Sequence, residues 1–351
     1  MAFINDRPCD EAPEETPLLS SMSRGQPTRA PLESPSVWRS DDLSRSEWSI
    51  DLSDEQREAI AAAARTAGRD GLPPEALTRE LFPLPELEAA ISAWSAALSD
   101  GRGFVLLRRF PIDVLTEQEI ELAYVGLGTH LGQPVSQNAA GELLTHIRDD
   151  RLPEGGPLVR LYRTRKRQDF HTDGADIIGL LCLHRARSGG ESLIASSGAV
   201  YNEMLRRRPD LLEVLYEPMY WDRQGGDDAG GQRWFELAPI TDLDGVPRVF
   251  YIGWYIRDAQ RHVGVPRLTD EQLEAMGLLE SIANDPSVHV EMEFEPGDVQ
   301  LLNNGRILHA REAYEDDDDP AKRRHLLRLW LAAHRFTSLE QQLREGISSR
   351  R

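Results

Sequence analysis

From about residue 140 the chain breaks into short apolar runs bounded by turn residues, and no other feature constrains its fold as tightly. The runs are LVRLYRT, DIIGLLCLHRA, SLIAS, PRVFYIGWYI, VHVEMEFEPGDVQLLNN, RILHARE and RHLLRLWLAAHR. Runs of this length, punctuated by Gly, Pro, Asn and Asp, predict a many-stranded β architecture. SGAVYNEMLRRRPDLLEVLY and LTDEQLEAMGLLESIAN interrupt it with helical periodicity. Ahead of the strands the pattern is mostly helical. A helix begins near Ser53, because Ser53 and Gln56 have capping-box form and EQREAIAAAARTAG carries it up to Gly68. Another runs from about Pro85 to Gly101, GFVLLRRF reads as a strand, and a third helix spans Thr116 to Gly132. The expected class is mainly β with flanking helices, a jelly-roll or similar barrel, and such barrels hold ligands in their mouths.

The domain reading follows. Residues 1–45 are rich in Pro, Ser, Glu and Arg without periodicity and are expected to form a disordered or loosely draped arm. A single domain covers 46–336, with a helical front part at 46–132 and a β core at 140–336, and 337–351 is a tail. Two cysteines, Cys9 and Cys182, offer no disulfide framework, which suits a reducing cytosol. No stretch approaches the roughly 20 apolar residues of a membrane span, and the acidic N-terminus lacks an apolar signal region, so a cytoplasmic protein without a membrane partner is expected. A formal charge of -19 repels phosphate backbones and argues against a nucleic-acid partner. Oligomeric state is not legible.

Chemistry enters at DFHTDGAD. His171 and Asp173 stand two apart, and in extended chain residues i and i+2 face the same way, so both side chains can point into one cavity. An imidazole and a carboxylate are two members of the 2-His-1-carboxylate triad that holds non-haem Fe(II) with open positions. His-x-Asp alone is more often a solvated turn. A second histidine is required, and His130, His146, His184, His262, His289, His325 and His334 are candidates beside His309. His309 stands out because EPGDVQLLNNGRILHARE delivers it on a strand after a turn. In RRHLLRLWLA, alternation puts Arg324, Leu326, Arg328 and Trp330 on one face, and His325, Leu327 and Leu329 on the other. Arginines facing inward need an anion, and a dicarboxylic acid would supply one.

These pieces together, HTD, SGGES, PGDVQLLNNGRILHAR and RRHLLRLWL, resemble the taurine dioxygenase and clavaminate synthase-like family of Fe(II)/2-oxoglutarate-dependent oxygenases over about residues 100–336. The resemblance implies a double-stranded β-helix with His171, Asp173 and His309 on iron. It implies that Ser192, in place of the threonine known in relatives, and Arg324 hold the far carboxylate of 2-oxoglutarate. Arg328 falls where relatives often grip the substrate. The implied reaction consumes O2 and 2-oxoglutarate, releases succinate and CO2, and oxidises a C–H bond of a small molecule. Asp173 favours hydroxylation over chlorination, because related halogenases carry a small residue at that position. Desaturation, cyclisation and epoxidation stay open. A jelly-roll binding protein without turnover is the reading from another class, and the complete ligand sets argue against it.

The remaining candidates concern the substrate. The segment from about 217 to 265 carries Trp221, Trp234 and Trp254 around the glycine-rich RQGGDDAGGQRW and is expected to form a lid, with Trp254 facing the substrate. Gln137 and Asn138 are placed to line the pocket by chain position relative to relatives, and Asp176 to touch substrate or close a turn. His325 is expected to face away from the cavity, and EDDDDP to be a solvated loop. The whole predicts a cytoplasmic dioxygenase hydroxylating a small organic molecule, one that carries an anionic group if Arg328 is its partner.

Overall fold

Alternation along the longest apolar runs builds the major sheet. In the computed structural model, which describes residues 29–138, 140–151, 161–224, 231–243 and 246–336, the strand Ile177–His184 lies antiparallel between Val299–Asn303 and His325–Ala333. Phe104–Arg108 and then Ser49–Asp51 extend one edge, while Gly132–Pro134 and Leu144–Ile147 both pair with the outer side of His325–Ala333. A minor sheet runs His289–Met292, Ser192–Ser196, Ile307–Arg311, Gln168–His171, antiparallel throughout. The two sheets enclose Ile178, Cys182, Ile194, Met292, Leu302 and Leu326, which is the jelly-roll core. The described residues from Pro31 to 336 form one compact unit.

The alternate residues turn outward and are covered by helices. Leu181, Leu301, Leu327 and Leu329 meet the helices Asp54–Arg69, Glu88–Ser99 and Glu117–Thr129. Two of these start at reciprocal caps: Ser53 accepts from Gln56 N–H at 3.2 Å and Thr116 from Glu119 N–H at 3.3 Å, each cap contributing about 1 kcal/mol. Gly126 permits a close approach here, since a Cβ would sit 2.4 Å from the Phe82 ring. The outer face of the minor sheet packs through Leu193, Ala195 and Leu308 on Ser197–Arg207, Pro209–Val214 and Asp270–Ala283. Among the described residues no helix is long and apolar enough to cross a membrane.

The structure corrects the sequence reading at a few places. Residues 31–45 are not a loose arm: Trp38 is buried, its ring 5.3 Å from Phe104 and its Nε1 donating to the Arg102 carbonyl at 2.9 Å. A single buried tryptophan supplies enough apolar area to fix a segment whose composition otherwise reads as disorder. Residues 1–28 and the tail at 337–351 lie outside the described residues. PRVFYIGWYI is not one strand. Val246–Val249 forms a hairpin with Ile240–Leu243, and Gly253–Ala259 is helical, because Ile256 drops fully buried into the cluster beneath the minor sheet. In LVRLYRT the described part, 161–164, is not a strand but holds the 3-10 turn Leu161–Arg163.

Candidate active site

His171 ends its strand, Asp173 follows two residues later, and His309 is the direct register partner of His171 on the adjacent strand. Sequence-distant residues therefore meet by strand pairing. One ligand atom of each lies within 4.8 Å of the others, with Nε2 of His171 3.9 Å and Nε2 of His309 3.8 Å from the Asp173 carboxylate. All three are buried. Nδ1 of His171 lies 2.8 Å from the Asp169 carbonyl, so it carries the hydrogen and leaves the Nε2 lone pair facing Asp173, where the Gln168 amide approaches to 3.1 Å. Burial lowers His171, and burial, followed by the repulsion of the two rings if both were protonated, pushes His309 down to about 3. Burial alone would raise the Asp173 carboxyl, but Arg328, then His309 and His171, hold it below the ordinary carboxylate range. Two neutral imidazoles and an ionised carboxylate are a donor set that fits Fe(II).

The loop carrying Asp173 is clamped. Asn304 accepts from Asp173 N–H at 2.8 Å and donates to the carbonyls of Asp173 at 2.6 Å and Ala175 at 2.8 Å. Thr172 and Tyr251 exchange hydrogen bonds, the Thr172 N–H donating at 2.8 Å and the Tyr251 N–H at 3.0 Å. One carboxylate oxygen of Asp173 accepts from Arg328 at 3.1 Å and from Trp330 Nε1 at 3.2 Å. Sequence reasoning passed over Asn304, since Asn-Asn-Gly reads simply as a hairpin turn. Asn304→Ala is expected to cost roughly 2 to 4 kcal/mol of stability by orphaning buried backbone groups. It should also weaken iron binding about 10- to 100-fold, because the ligand loop loses its outer support. Denaturant midpoints and metal titration check the two effects separately.

Beyond the triad, the same cavity is lined by Ser192, Arg311, Arg324 and Arg328. Ser192 is buried, with its hydroxyl 3.0 Å from the Gln300 amide nitrogen. The turn before it requires glycine: Gly189 and Gly190 have φ of 74° and 81°, and a Cβ on Gly190 would come within 3.0 Å of Arg324 Nε. Arg324 is buried with Nη1 lacking a partner, and Arg311 is buried with Nε and Nη1 lacking one. Both guanidinium groups lie 5.0 Å from the ring centre of Tyr314. Buried cations with unfilled donors, next to a hydroxyl, form an anion pocket.

A family model described as taurine catabolism dioxygenase TauD, TfdA family matches residues 69–330. The chain belongs to this family. It is an Fe(II)- and 2-oxoglutarate-dependent dioxygenase. FR-33289 synthase of Streptomyces rubellomurinus is 33% identical over 313 residues, covering 86% of this chain and 91% of that protein. An asparagine oxygenase solved with Fe(II), 2S,3S-3-hydroxyasparagine and succinate superposes with a TM-score of 0.61 at 16% identity, covering 81% of this chain and 93% of that one. The non-haem iron oxygenase OrfP, solved with Fe and alpha-ketoglutaric acid, gives 0.59 at 17% identity, covering 81% and 94%. At these identities the structures show the shared fold.

The other sequence candidates divide around the dioxygenase cavity. Arg328 lines it, stacked 5.2 Å from the Tyr162 ring centre and 4.7 Å from that of Trp330, with Nε donating to Gln137 at 2.7 Å. Trp254 stands edge-on to His171, ring centres 4.9 Å apart, and is not among the residues that line the cavity. Asn138 does not line the cavity: it is exposed, and its amide bonds Glu142 at 2.6 Å. Gln137, one residue earlier, points the opposite way and reaches Arg328. Asp176 is also placed outside, buried with its carboxylate accepting from Ala333 N–H at 2.9 Å, so a structural turn replaces the expected substrate contact. In the expected lid, Met219–Asp222 pairs with Trp234–Leu237, and Trp221 and Tyr251 are fully buried core residues. The glycine-rich tip, 225–230, lies outside the described residues.

His325 faces away from the cavity, as alternation requires, and its Nε2 meets His146 Nδ1 at 2.8 Å. Burial, then the neighbouring His146, Arg148 and His184, lowers it to about 4 from 6.5. The unfolded chain therefore takes up a proton that the folded ring refuses, and folded stability falls as pH drops from 6.5 to about 4. His325→Gln is expected to flatten that decline in denaturation curves while leaving turnover at neutral pH within a few-fold of wild type. Loss of turnover would place His325 in the site.

Proposed function

We propose that this dioxygenase hydroxylates a small organic molecule bearing an anionic group. The observation that carries the proposal is charge. Three guanidinium groups, Arg311, Arg324 and Arg328, face one carboxylate, Asp173, among the cavity-lining residues. Fe(II) and the 2-oxoglutarate dianion cancel each other, so bringing both in leaves the positive excess unchanged, and a buried excess of charge favours an anionic partner. The family's description names taurine, an aminosulfonate, and the asparagine oxygenase is named for an amino acid; both are small and carry an acidic group.

In this reading His171, Asp173 and His309 hold the iron. Bound iron with 2-oxoglutarate and O2 supplies oxidative decarboxylation, with release of succinate and CO2, and oxidation of a substrate C–H bond. Arg324 and Ser192 grip the far carboxylate of 2-oxoglutarate and orient its keto-acid end toward the triad. Arg328 serves twice: it holds Asp173 ionised, and its edge attracts the acid group of the substrate. Tyr162 and Trp330 fix the guanidinium plane and exclude water from it. Trp254 supplies apolar contact beside His171. The described residues from Pro31 to 336 act as one domain.

A panel of small acids and their neutral isosteres tests this. Compounds with a carboxylate, sulfonate or phosphate should stimulate succinate release and gain an oxygen atom, while the matching amides or esters should do neither. Equal stimulation by a neutral isostere, undiminished in Arg328→Ala, would overturn the anionic-substrate reading.

A further inference from the structure

We propose that Arg311 is a second anchor for the far carboxylate of 2-oxoglutarate, reaching it from the minor sheet while Arg324 reaches it from the major sheet. The proposal rests on the reading that Ser192 and Arg324 form the pocket for that carboxylate. It is carried by strand register. Ile194, His309 and His171 lie opposite one another and form one row across the minor sheet. Two residues along, Met292, Ser192 and Arg311 form the next row, joined across a bulge by Gln168. Residues i and i+2 of a strand face the same way, so Arg311 projects into the same space as His309, on the order of 6.5 Å further from the iron ligands. A short diacid chelating metal at one row has its other end near the second.

Arg311 has no acid to neutralise it there. Its Nη2 donates to the Lys166 carbonyl, while Nε and Nη1 are buried and without partners. Among the described residues the only carboxylate lining the cavity is Asp173, which Arg328 already occupies at 3.1 Å. Asp149, which acts on Arg311 electrostatically, is paired with Arg165 at 3.0 Å. Arg324 is in the same condition, with Nη1 orphaned, while Asp316, which acts on it electrostatically, accepts from its backbone N–H at 2.8 Å. Each guanidinium group lies 5.0 Å from the ring centre of Tyr314. Like charges at such depth repel strongly. A carboxylate between them, hydrogen-bonded by Ser192, satisfies both forks at once.

The test separates this role from a structural one through the bond to Lys166. Anaerobic Fe(II)-loaded wild type, Arg311→Met and Arg311→Lys are titrated with 2-oxoglutarate and with 2-oxovalerate, which keeps the keto-acid head but ends in a methyl group. Calorimetry and the metal-to-ligand charge-transfer band both report binding without turnover, and thermal midpoints report the fold. Arg311→Met should weaken 2-oxoglutarate between about ten- and a hundredfold and leave 2-oxovalerate unchanged, with Arg311→Lys between the two. Unchanged preference for 2-oxoglutarate over 2-oxovalerate in both variants, or an equal loss for both ligands, would overturn the assignment of Arg311. A wild type that does not prefer 2-oxoglutarate would instead overturn the anion pocket as a whole, including Arg324 and Ser192.

Discussion

His309→Ala is expected to abolish iron-dependent succinate release while the protein stays folded. Loss of a partner outside the metal's own ligands typically costs about 10- to 100-fold, and removal of one of three protein ligands should cost more. The fold should tolerate it because Nδ1 of His309 has no hydrogen-bond partner to lose. Asp173→Ala is a less clean experiment. That carboxylate balances Arg328 at 3.1 Å with both side chains 11% exposed, so its removal strands a buried guanidinium at a cost of about 3 to 5 kcal/mol. Turnover should vanish in both variants, but only Asp173→Ala should show a large fall in thermal midpoint. Near-normal succinate release by His309→Ala would remove His309 from the metal site.

The second large effect separates Arg324 from Arg328. Arg324 is buried without a side-chain carboxylate partner, whereas Arg328 is paired with Asp173 and Gln137. Removing an unpaired buried charge relieves the fold, so Arg324→Met should leave the thermal midpoint of the ligand-free protein unchanged or raised. The same variant should lose 2-oxoglutarate affinity by about a hundredfold or more, since it deletes one partner of the buried charge pair that the co-substrate completes. Arg328→Ala should behave in the opposite manner. It destabilises the ligand-free fold, keeps 2-oxoglutarate within about tenfold, a difference of roughly 1.4 kcal/mol, and loses stimulation by the prime substrate. If Arg328→Ala loses 2-oxoglutarate as badly as Arg324→Met, both arginines serve the co-substrate and the case for an anionic substrate fails.

Much of this organisation was legible where local rules and tertiary demands agree. Ser53 with Gln56 and Thr116 with Glu119 cap helices in the positions that their spacing implies. Period-two alternation assigned Arg324, Leu326 and Arg328 to the cavity and Leu327 to the helix-covered face, and the structure distributes them so. The same alternation, continued from His309, would have found Arg311; a charged residue two places from a ligand on a buried strand was the signal. Other features had no local signature. Asn304 acts across 131 residues of chain on the Asp173 loop, and Trp38 is fixed by an inter-sheet cluster assembled from distant strands. Gly253–Ala259 lacks a side-chain cap and follows a β-prone run, so its helix depends on burial of Ile256 and Ala259. Asn138 and Gln137 differ by one position within a bend, yet Gln137 reaches Arg328 while Asn138 stays exposed against Glu142.

The most direct test of the account is anaerobic titration of the purified protein with Fe(II) and 2-oxoglutarate, followed by the metal-to-ligand charge-transfer band. The expected band requires both components, saturates at one iron and one 2-oxoglutarate per chain, and disappears in His309→Ala that remains folded by its thermal midpoint. A band of full intensity in folded His309→Ala, or iron binding without any band in the wild type, would contradict it.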